Sequence, residues 1–376
     1  MKSDRQEAPP NHFPAWAPRF WHGMRSLDWW RLLAKNRFRI SLRRVPMAMG
    51  VTAFTPINDF MAALQWVLYG TRLNRTEMEH DPIFILGHWR SGTTFLHELM
   101  VTNPEFASPN TFQCFAPSHH LVSEYLIVRF GGFLLPKKRP MDDMPAGWTL
   151  PQEDEFGLMN LGAPSPYEQI VFPRSPLRLH ELLTLEKLSA DDKQRWRSAL
   201  IWFLKTLTIR YDGRRIILKS PTHTARLAEL ANLFPKAKFI HLTRDPRKLF
   251  VSTIRLWKSL GASQSLQDPP DDQILHEYVS KCLKVMYEEF QHAQKAVDPA
   301  RMIDVRYEDL IAEPTAVMRN IYQHLDLGGF EAALPFMEER LQNHSQYQTN
   351  RYELDTELEQ HILTVWKDYA QRYGYV

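Results

Sequence analysis

Four short apolar runs, PIFIL (82–86), RIILK (215–219), KFIHLT (238–243) and MIDVRY (302–307), restrict the fold of this chain more than any other feature. Each is rich in β-branched or aromatic residues, as expected of strands buried on both faces. Helical patterns separate and follow them, at 93–101, 190–211, 222–233, 247–260, 271–296 and 315–325. Strands alternating with helices in this way indicate a parallel sheet with right-handed crossovers. The expected class is α/β, a central parallel sheet flanked by helices.

With 376 residues, 44% of them hydrophobic, the chain can bury a large core. Its formal charge is only +3, but the first 50 residues hold ten Lys/Arg against three Asp/Glu. We therefore divide the chain into a basic, aromatic-rich helical extension, 1–75, and a main domain, 76–376. Within the main domain, 103–180 is rich in proline and aromatics and interrupts the strand-helix alternation, the natural place for an acceptor pocket and lid. The two cysteines, Cys114 and Cys282, cannot form a disulfide framework, and MKSDRQEAPP lacks an apolar signal core. A cytoplasmic, reducing setting is expected. The longest apolar stretch, about 45–70, is broken by Pro46, Pro56, Asn58 and Asp59, which argues against a membrane span.

The first strand runs directly into GHWRSGTT, 87–94. Two glycines flanking four residues, between a strand and a helix, form the frame of a phosphate-binding loop. A nucleotide-hydrolysing loop would carry lysine after the second glycine, where this chain has Thr93. The cation lies inside the loop instead, as Arg90. Backbone N–H groups from Arg90 through Ser91, Gly92, Thr93 and Thr94 would converge on an anion at the helix start, with hydroxyls as added donors. An ordinary glycine turn capping a helix would look the same. A second anion site weighs against that reading. In KFIHLTRDPRKLFVS, 238–252, Asp245 and Pro246 account for a helix start, but not for Arg244. Arg244 ends a parallel strand, where ligands bind in open α/β sheets, and Ser252 lies two helical turns on.

Together these motifs resemble those of sulfotransferases that use 3′-phosphoadenosine 5′-phosphosulfate (PAPS). WRSGTTF is similar to that family's 5′-phosphosulfate loop, with Trp89 in place of the usual proline. Arg244 and Ser252 match its 3′-phosphate pair, and RYEDLIAEP, 306–314, its Y-E-D-L…P segment. The resemblance covers about residues 80–376 and implies a P-loop-kinase-like sheet and sulfuryl transfer from PAPS to a hydroxyl or amine. It implies that Arg90 stabilises charge on the departing nucleotide and that Phe95 and Tyr307 lie against adenine, although both are equally explained as core aromatics. LKSPTHTARLAELANLFPKAKFI is similar to a stretch of tyrosylprotein sulfotransferases whose early lysine assists the leaving phosphate, the position of Lys219. No Cys/His spacing suggests a metal, and no nucleic-acid partner is expected. A magnesium-dependent kinase or NTPase is the main alternative, opposed by the missing lysine and the Arg244/Ser252 pair; a degenerate nucleotide-binding module is another.

Transfer to a hydroxyl needs a general base. Relatives place a glutamate shortly after the first helix, but the corresponding NTFQC, 110–114, has no carboxylate. Attention passes to LPQEDEFGLMNLG, 150–162. Acids there also suit a helix amino terminus. Glu155, on one face with Leu158 and Met159, is the first choice, since an apolar neighbourhood raises a carboxyl pKa. Glu153 is the next, then His119 or His120. The acceptor is not legible: LIVRFGGFLLP, 126–136, suits either a lipid-like small molecule or core packing. The extension interleaves basic residues with Trp16, Phe20, Trp21, Trp29, Trp30 and Phe38, which fits peripheral attachment to an anionic membrane or a helix packed on the domain with its arginines solvated.

Overall fold

Ile83–Leu86 forms the central strand because all four of its residues can be buried on both sheet faces, and all four are fully buried. In the computed structural model, which describes residues 17–136, 138, 145–344 and 356–376, this strand is β1. It is joined by β2 (Phe106–Ala107), β3 (Arg215–Lys219), β4 (Lys238–Thr243) and β5 (Met302–Arg306) in one parallel sheet ordered β2-β3-β1-β4-β5. The chain leaves β1 toward β2 and leaves β4 toward β5, so their carboxyl ends open a crevice between them, the switch point where doubly wound sheets bind ligands. Ile85 pairs with Lys219 on one side and Ile240 on the other, and Thr243 pairs with Arg306. Lys219, Thr243 and Arg306 thus end their strands along one edge.

The extension does not stand apart. After α1 (Ser26–Lys35), the long helix α2 (Val45–Arg75) crosses the domain. Pro56 inside α2 cannot donate to the Thr52 carbonyl, and the Thr55 hydroxyl takes that place at 3.0 Å. Ahead of α1, the Trp21 indole donates to the Gln264 carbonyl at 2.7 Å, Phe20 lies 4.7 Å from the Phe156 ring, and Trp21 and Trp29 stack at 5.4 Å. Phe20, Trp21 and Trp29 are therefore core residues that cannot reach a membrane surface, which corrects the attachment reading for these three; Trp30 and Phe38 are exposed, and Trp16 lies outside the described residues.

The segment 103–180 carries α3's exit to β2, then α4 (Thr111–Phe115), α5 (His120–Phe130) and α6 (Asp154–Asn160), with α3 itself spanning Thr93–Met100. Every residue of α6 is buried, which a short helix tolerates only if its polar members find partners.

Candidate active site

The loop between β1 and α3 requires both its glycines. Gly87 has φ 142°, and a Cβ there would meet the Leu242 carbonyl oxygen of β4 at 2.6 Å. Gly92 has φ 98°, and a Cβ would lie 2.2 Å from the Tyr307 ring. Arg90 is also left-handed, at φ 69°, a conformation that costs a non-glycine residue on the order of 1–2 kcal/mol. Two contacts hold it there. Arg244 Nη1 donates to the Arg90 carbonyl at 2.8 Å, and Arg90 Nε donates to Ser252 Oγ at 2.9 Å. The loop and the β4 exit are thus bonded to each other, and Arg244 lies over the Tyr307 ring at 4.2 Å from its centroid. Tyr369, from the carboxyl-terminal helix, fixes the Arg244 backbone by accepting from its N–H at 3.0 Å and donating to its carbonyl at 2.9 Å.

Besides His88 Nε2 of the loop, two polar atoms in this cluster are buried without a hydrogen-bond partner among the described residues, Ser91 Oγ and Arg244 Nε. An orphaned buried donor costs about 1–3 kcal/mol, which a ligand bound beside it can restore. Both are donors, flanked by two arginines and the amino end of α3, a set that suits an anion. Thr93 is buried, Thr94 is half-buried, and Phe95 is packed into the core beside Leu96 and Leu99.

Across β1, Lys219 Nζ at the end of β3 donates to Glu153 Oε1 at 2.8 Å. The other Glu153 oxygen accepts a short hydrogen bond from the Tyr167 hydroxyl, and that hydroxyl accepts from the Trp89 indole at 3.1 Å. Burial first, and the adjacent Glu153 charge second, push the Tyr167 hydroxyl well up, so it stays a donor. Trp89 thereby ties the 87–94 loop to Glu153. Nothing in the spacing of Trp89, Glu153 and Tyr167 signalled this chain of contacts.

Glu155 does not have the environment expected of a base. Its carboxylate is fully buried and accepts from Arg226 Nη1 at 2.6 Å, Arg226 Nη2 at 3.2 Å, Ser165 Oγ at 2.6 Å and Thr222 Oγ1 at 2.9 Å. Every lone pair is engaged, and the apolar face inferred from Leu158 and Met159 is that of a structural ion pair. Asp154 is likewise taken up by His223 at 2.6 Å and Ser220 at 2.8 Å. His119 is bonded to Ser123 at 2.8 Å and to Asn58 of α2 at 3.2 Å, and burial pushes it down to about 4. Neighbouring His120 is fully buried and pushed down to about 3 by burial. Glu153 is the one of these candidates with a carboxylate still partly open, 18% exposed as a side chain.

A model of the sulfotransferase family matches residues 82–129 and 150–332. Over 379 aligned positions the chain is 38% identical to the omega-hydroxy-beta-dihydromenaquinone-9 sulfotransferase Stf3 of Mycobacterium bovis and of Mycobacterium tuberculosis, covering 100% of this chain and 96% of the relative. Among solved structures, sulfotransferase STF1 of M. tuberculosis superposes with a TM-score of 0.63 at 17% identity, over 92% of this chain and 93% of the other. Sulfotransferase STF9 of Mycobacterium avium gives 0.62 at 16% identity, over 93% and 96%. These two structural likenesses speak for the fold.

Proposed function

The chain belongs to the sulfotransferase family and transfers a sulfuryl group; from that premise we propose that its donor is PAPS and its acceptor a hydroxyl, or an amine, on a lipid-like molecule. The observation that carries the donor reading is the bonded cluster of Arg90, Ser252 and Arg244 with orphaned Ser91 Oγ and Arg244 Nε beside it. When bound, PAPS supplies an activated sulfuryl group with a nucleotide as leaving group. Ser91, Gly92, Thr93 and Thr94 would hold its 5′ side, Arg244 and Ser252 its 3′-phosphate, and Phe95 and Tyr307 the adenine side. Arg90, at the junction of the two anion sites, would stabilise charge on the departing oxygen, where a fixed cation acts most strongly.

For the base we propose Glu153 in place of Glu155. Glu153 has an oxygen edge partly open to solvent, whereas Glu155 is fully buried and each of its oxygens already accepts from two donors, so no substrate hydroxyl can reach it without breaking that set. Lys219 neutralises Glu153 in the resting state and, at the edge of the crevice, can turn to the leaving group as the proton moves. Tyr167 keeps the carboxylate oriented.

The Stf3 relatives act on a dihydromenaquinone derivative, and a cavity of about 610 Å³ supports a similar chemical class here. Its wall includes Ala62, Ala63 and Trp66 of α2, Leu161, Ala199 and Trp202. Leu161 caps the far end of α6 from Glu153, about 12 Å away at helical rise, so an acceptor with an apolar body there would bring a polar end toward the base. Both cysteines are free and buried, which supports a cytoplasmic, reducing setting, and contact with the membrane would supply such an acceptor. The test is transfer from labelled PAPS into a membrane lipid extract in the presence of chelator. Label in a lipid fraction is expected; an absolute requirement for magnesium, or transfer from ATP in its place, overturns the reading.

A further inference from the structure

Helix α2 is amphipathic in the wrong sense for a water-soluble surface. Its buried positions include Thr55, Asn58, Gln65 and Gly70, while every exposed residue from 46 to 68 is apolar or glycine. Largest among the exposed ones are Met49, Phe54, Ile57, Phe60, Trp66, Val67 and Leu68, with Phe60 67% and Val67 78% exposed. The polar residues on the inner face are not misplaced, because each has a partner. Asn58 Nδ2 donates to the His22 and Met24 carbonyls at 2.7 and 2.9 Å, Gln65 Oε1 accepts from Leu121 N–H at 2.9 Å, and the Thr55 hydroxyl accepts from Ser26 at 3.1 Å. These bonds fix the rotation of α2 and hold its apolar side outward along roughly 34 Å of helix. Helix α5, bonded to the inner face of α2 through Leu121 and through its cap residue His119, also exposes Tyr125, Leu126 and Phe130. An exposed apolar helix face of this length marks an interaction surface.

Charge identifies the partner. Between 25 and 75 all eight exposed charged side chains are basic, with Arg39 and Arg43 ahead of the stripe and Arg72 and Arg75 beyond it. The two acids of that segment are withdrawn: Asp28 is buried beside Arg25 and Arg31, and half-buried Asp59 accepts from Ser26 N–H at 3.2 Å. The stripe itself carries no exposed acid and is bounded by cations at both ends, Glu77 and Glu79 being the first exposed acids beyond Arg75, a pattern that complements an anionic lipid surface. A second copy of the chain would bring the same cations against each other. No helix among the described residues is long and apolar enough to cross a membrane.

We infer that the outer face of α2 is a bilayer-docking surface: the helix lies in the plane of an anionic leaflet with Phe54, Phe60, Val67 and Leu68 inserted among the acyl chains. Trp66 sits on this face and also on the rim of the 610 Å³ cavity, so a docked enzyme would present that cavity to the leaflet. The inference deepens the lipid-like acceptor reading and rests on it only for the purpose of docking, not for its evidence.

The test uses the full chain, without donor or acceptor, and flotation with vesicles of phosphatidylcholine alone or mixed with phosphatidylglycerol. Binding to both is expected, tighter with phosphatidylglycerol, with brominated lipid quenching tryptophan emission. The doubly substituted Phe60→Glu, Val67→Glu chain should lose at least about tenfold in partitioning, the scale of withdrawing one large apolar side chain from lipid. Both residues are exposed, so its circular dichroism and unfolding midpoint should match the parent. Arg39→Glu with Arg43→Glu should abolish only the phosphatidylglycerol increment. Unchanged vesicle binding by the Phe60/Val67 variant overturns the inference, as does a parent dimer that this variant dissolves while vesicle binding is absent. Vesicle binding is read apart from turnover, so failure here leaves the acceptor reading standing, and a water-soluble acceptor would leave docking standing.

Discussion

The carboxyl edge of the sheet and the acids of the helical layer beside it differ in how their buried polar groups are held, although Asn160 Oδ1 and the His120 ring nitrogens of that layer also lack partners among the described residues. At the edge, Ser91 Oγ and Arg244 Nε are buried with no partner among the described residues, and Arg90 is held in a left-handed backbone conformation. In the layer, Glu155, Asp154 and Asn58 are equally buried, yet each is held by two or more hydrogen bonds. Unpaired donors cost stability that a bound anion can restore, whereas paired acids fix the shape of the layer. Glu153 stands on the boundary, paired to Lys219 and Tyr167 but partly open. Among these acids it is the partial opening of Glu153, and not acidity, that sets it apart.

The largest effect should come from breaking the satisfied side. Glu155→Gln strands the buried Arg226 charge and should cost about 3–5 kcal/mol of stability, read by denaturant unfolding. Glu153→Gln should move the unfolding midpoint far less; equal shifts for the two glutamates would break the comparison. On the unsatisfied side, Arg90→Ala should lower turnover by roughly 10²–10³-fold, the scale of losing one electrostatic contact to the leaving group, while PAP binding falls much less. Glu153→Gln should lower turnover by about 10²-fold with PAP affinity retained, measured by calorimetry beside steady-state kinetics. Normal turnover in that variant removes Glu153 as the base.

Smaller effects sharpen the same contrast. Arg244→Ala should weaken PAP binding by about 2 kcal/mol and leave adenosine 5′-phosphosulfate binding nearly unchanged, since that ligand lacks the 3′-phosphate. Equal losses for both would move the 3′ site elsewhere. The smallest concerns acid. Burial pushes His88 down to about 4, His97 down to about 3 with the Lys219 charge adding to it, and His120 down to about 3. Unfolded histidines take up protons below about 6.5, whereas these stay neutral in the fold until far lower pH. The unfolded state therefore binds more protons, and stability should fall as pH drops from 6.5 toward 4. His120→Phe, beside Phe203, should flatten that slope in midpoint-versus-pH measurements; an unchanged slope would remove His120 from the account.

Much of the architecture was legible in the chain. RIILK and KFIHLT coincide with β3 and β4, because strands buried on both faces must be continuously apolar. The two-residue β2 was not, since Phe106–Ala107 carries no period at all. The helix expected over 222–233 begins as a 3₁₀ segment, Pro221–Arg226, and becomes α-helical only at Leu227. The glycine loop and the arginine just past the end of β4 were legible because glycines with positive φ and strand-end residues follow from local backbone chemistry.

What the sequence by itself determined is what depends on neighbours in the chain: the parallel α/β sheet, the glycine loop at 87–94, the cap at Asp245 and the placement of Arg244 at a strand end. Tertiary structure alone decided which of two acids at the start of α6 is open. Glu153 and Glu155 suit a helix amino terminus equally, and only Arg226, 71 positions on from Glu155, distinguishes them. It also decided which side of α2 faces outward. Hydropathy says that Phe60 and Val67 are apolar, but the rotation of the helix is set by Asn58 and Gln65 bonding to backbone far along the chain. Such contacts join residues whose separation in sequence carries no periodic signal, so they exist only once the chain has folded.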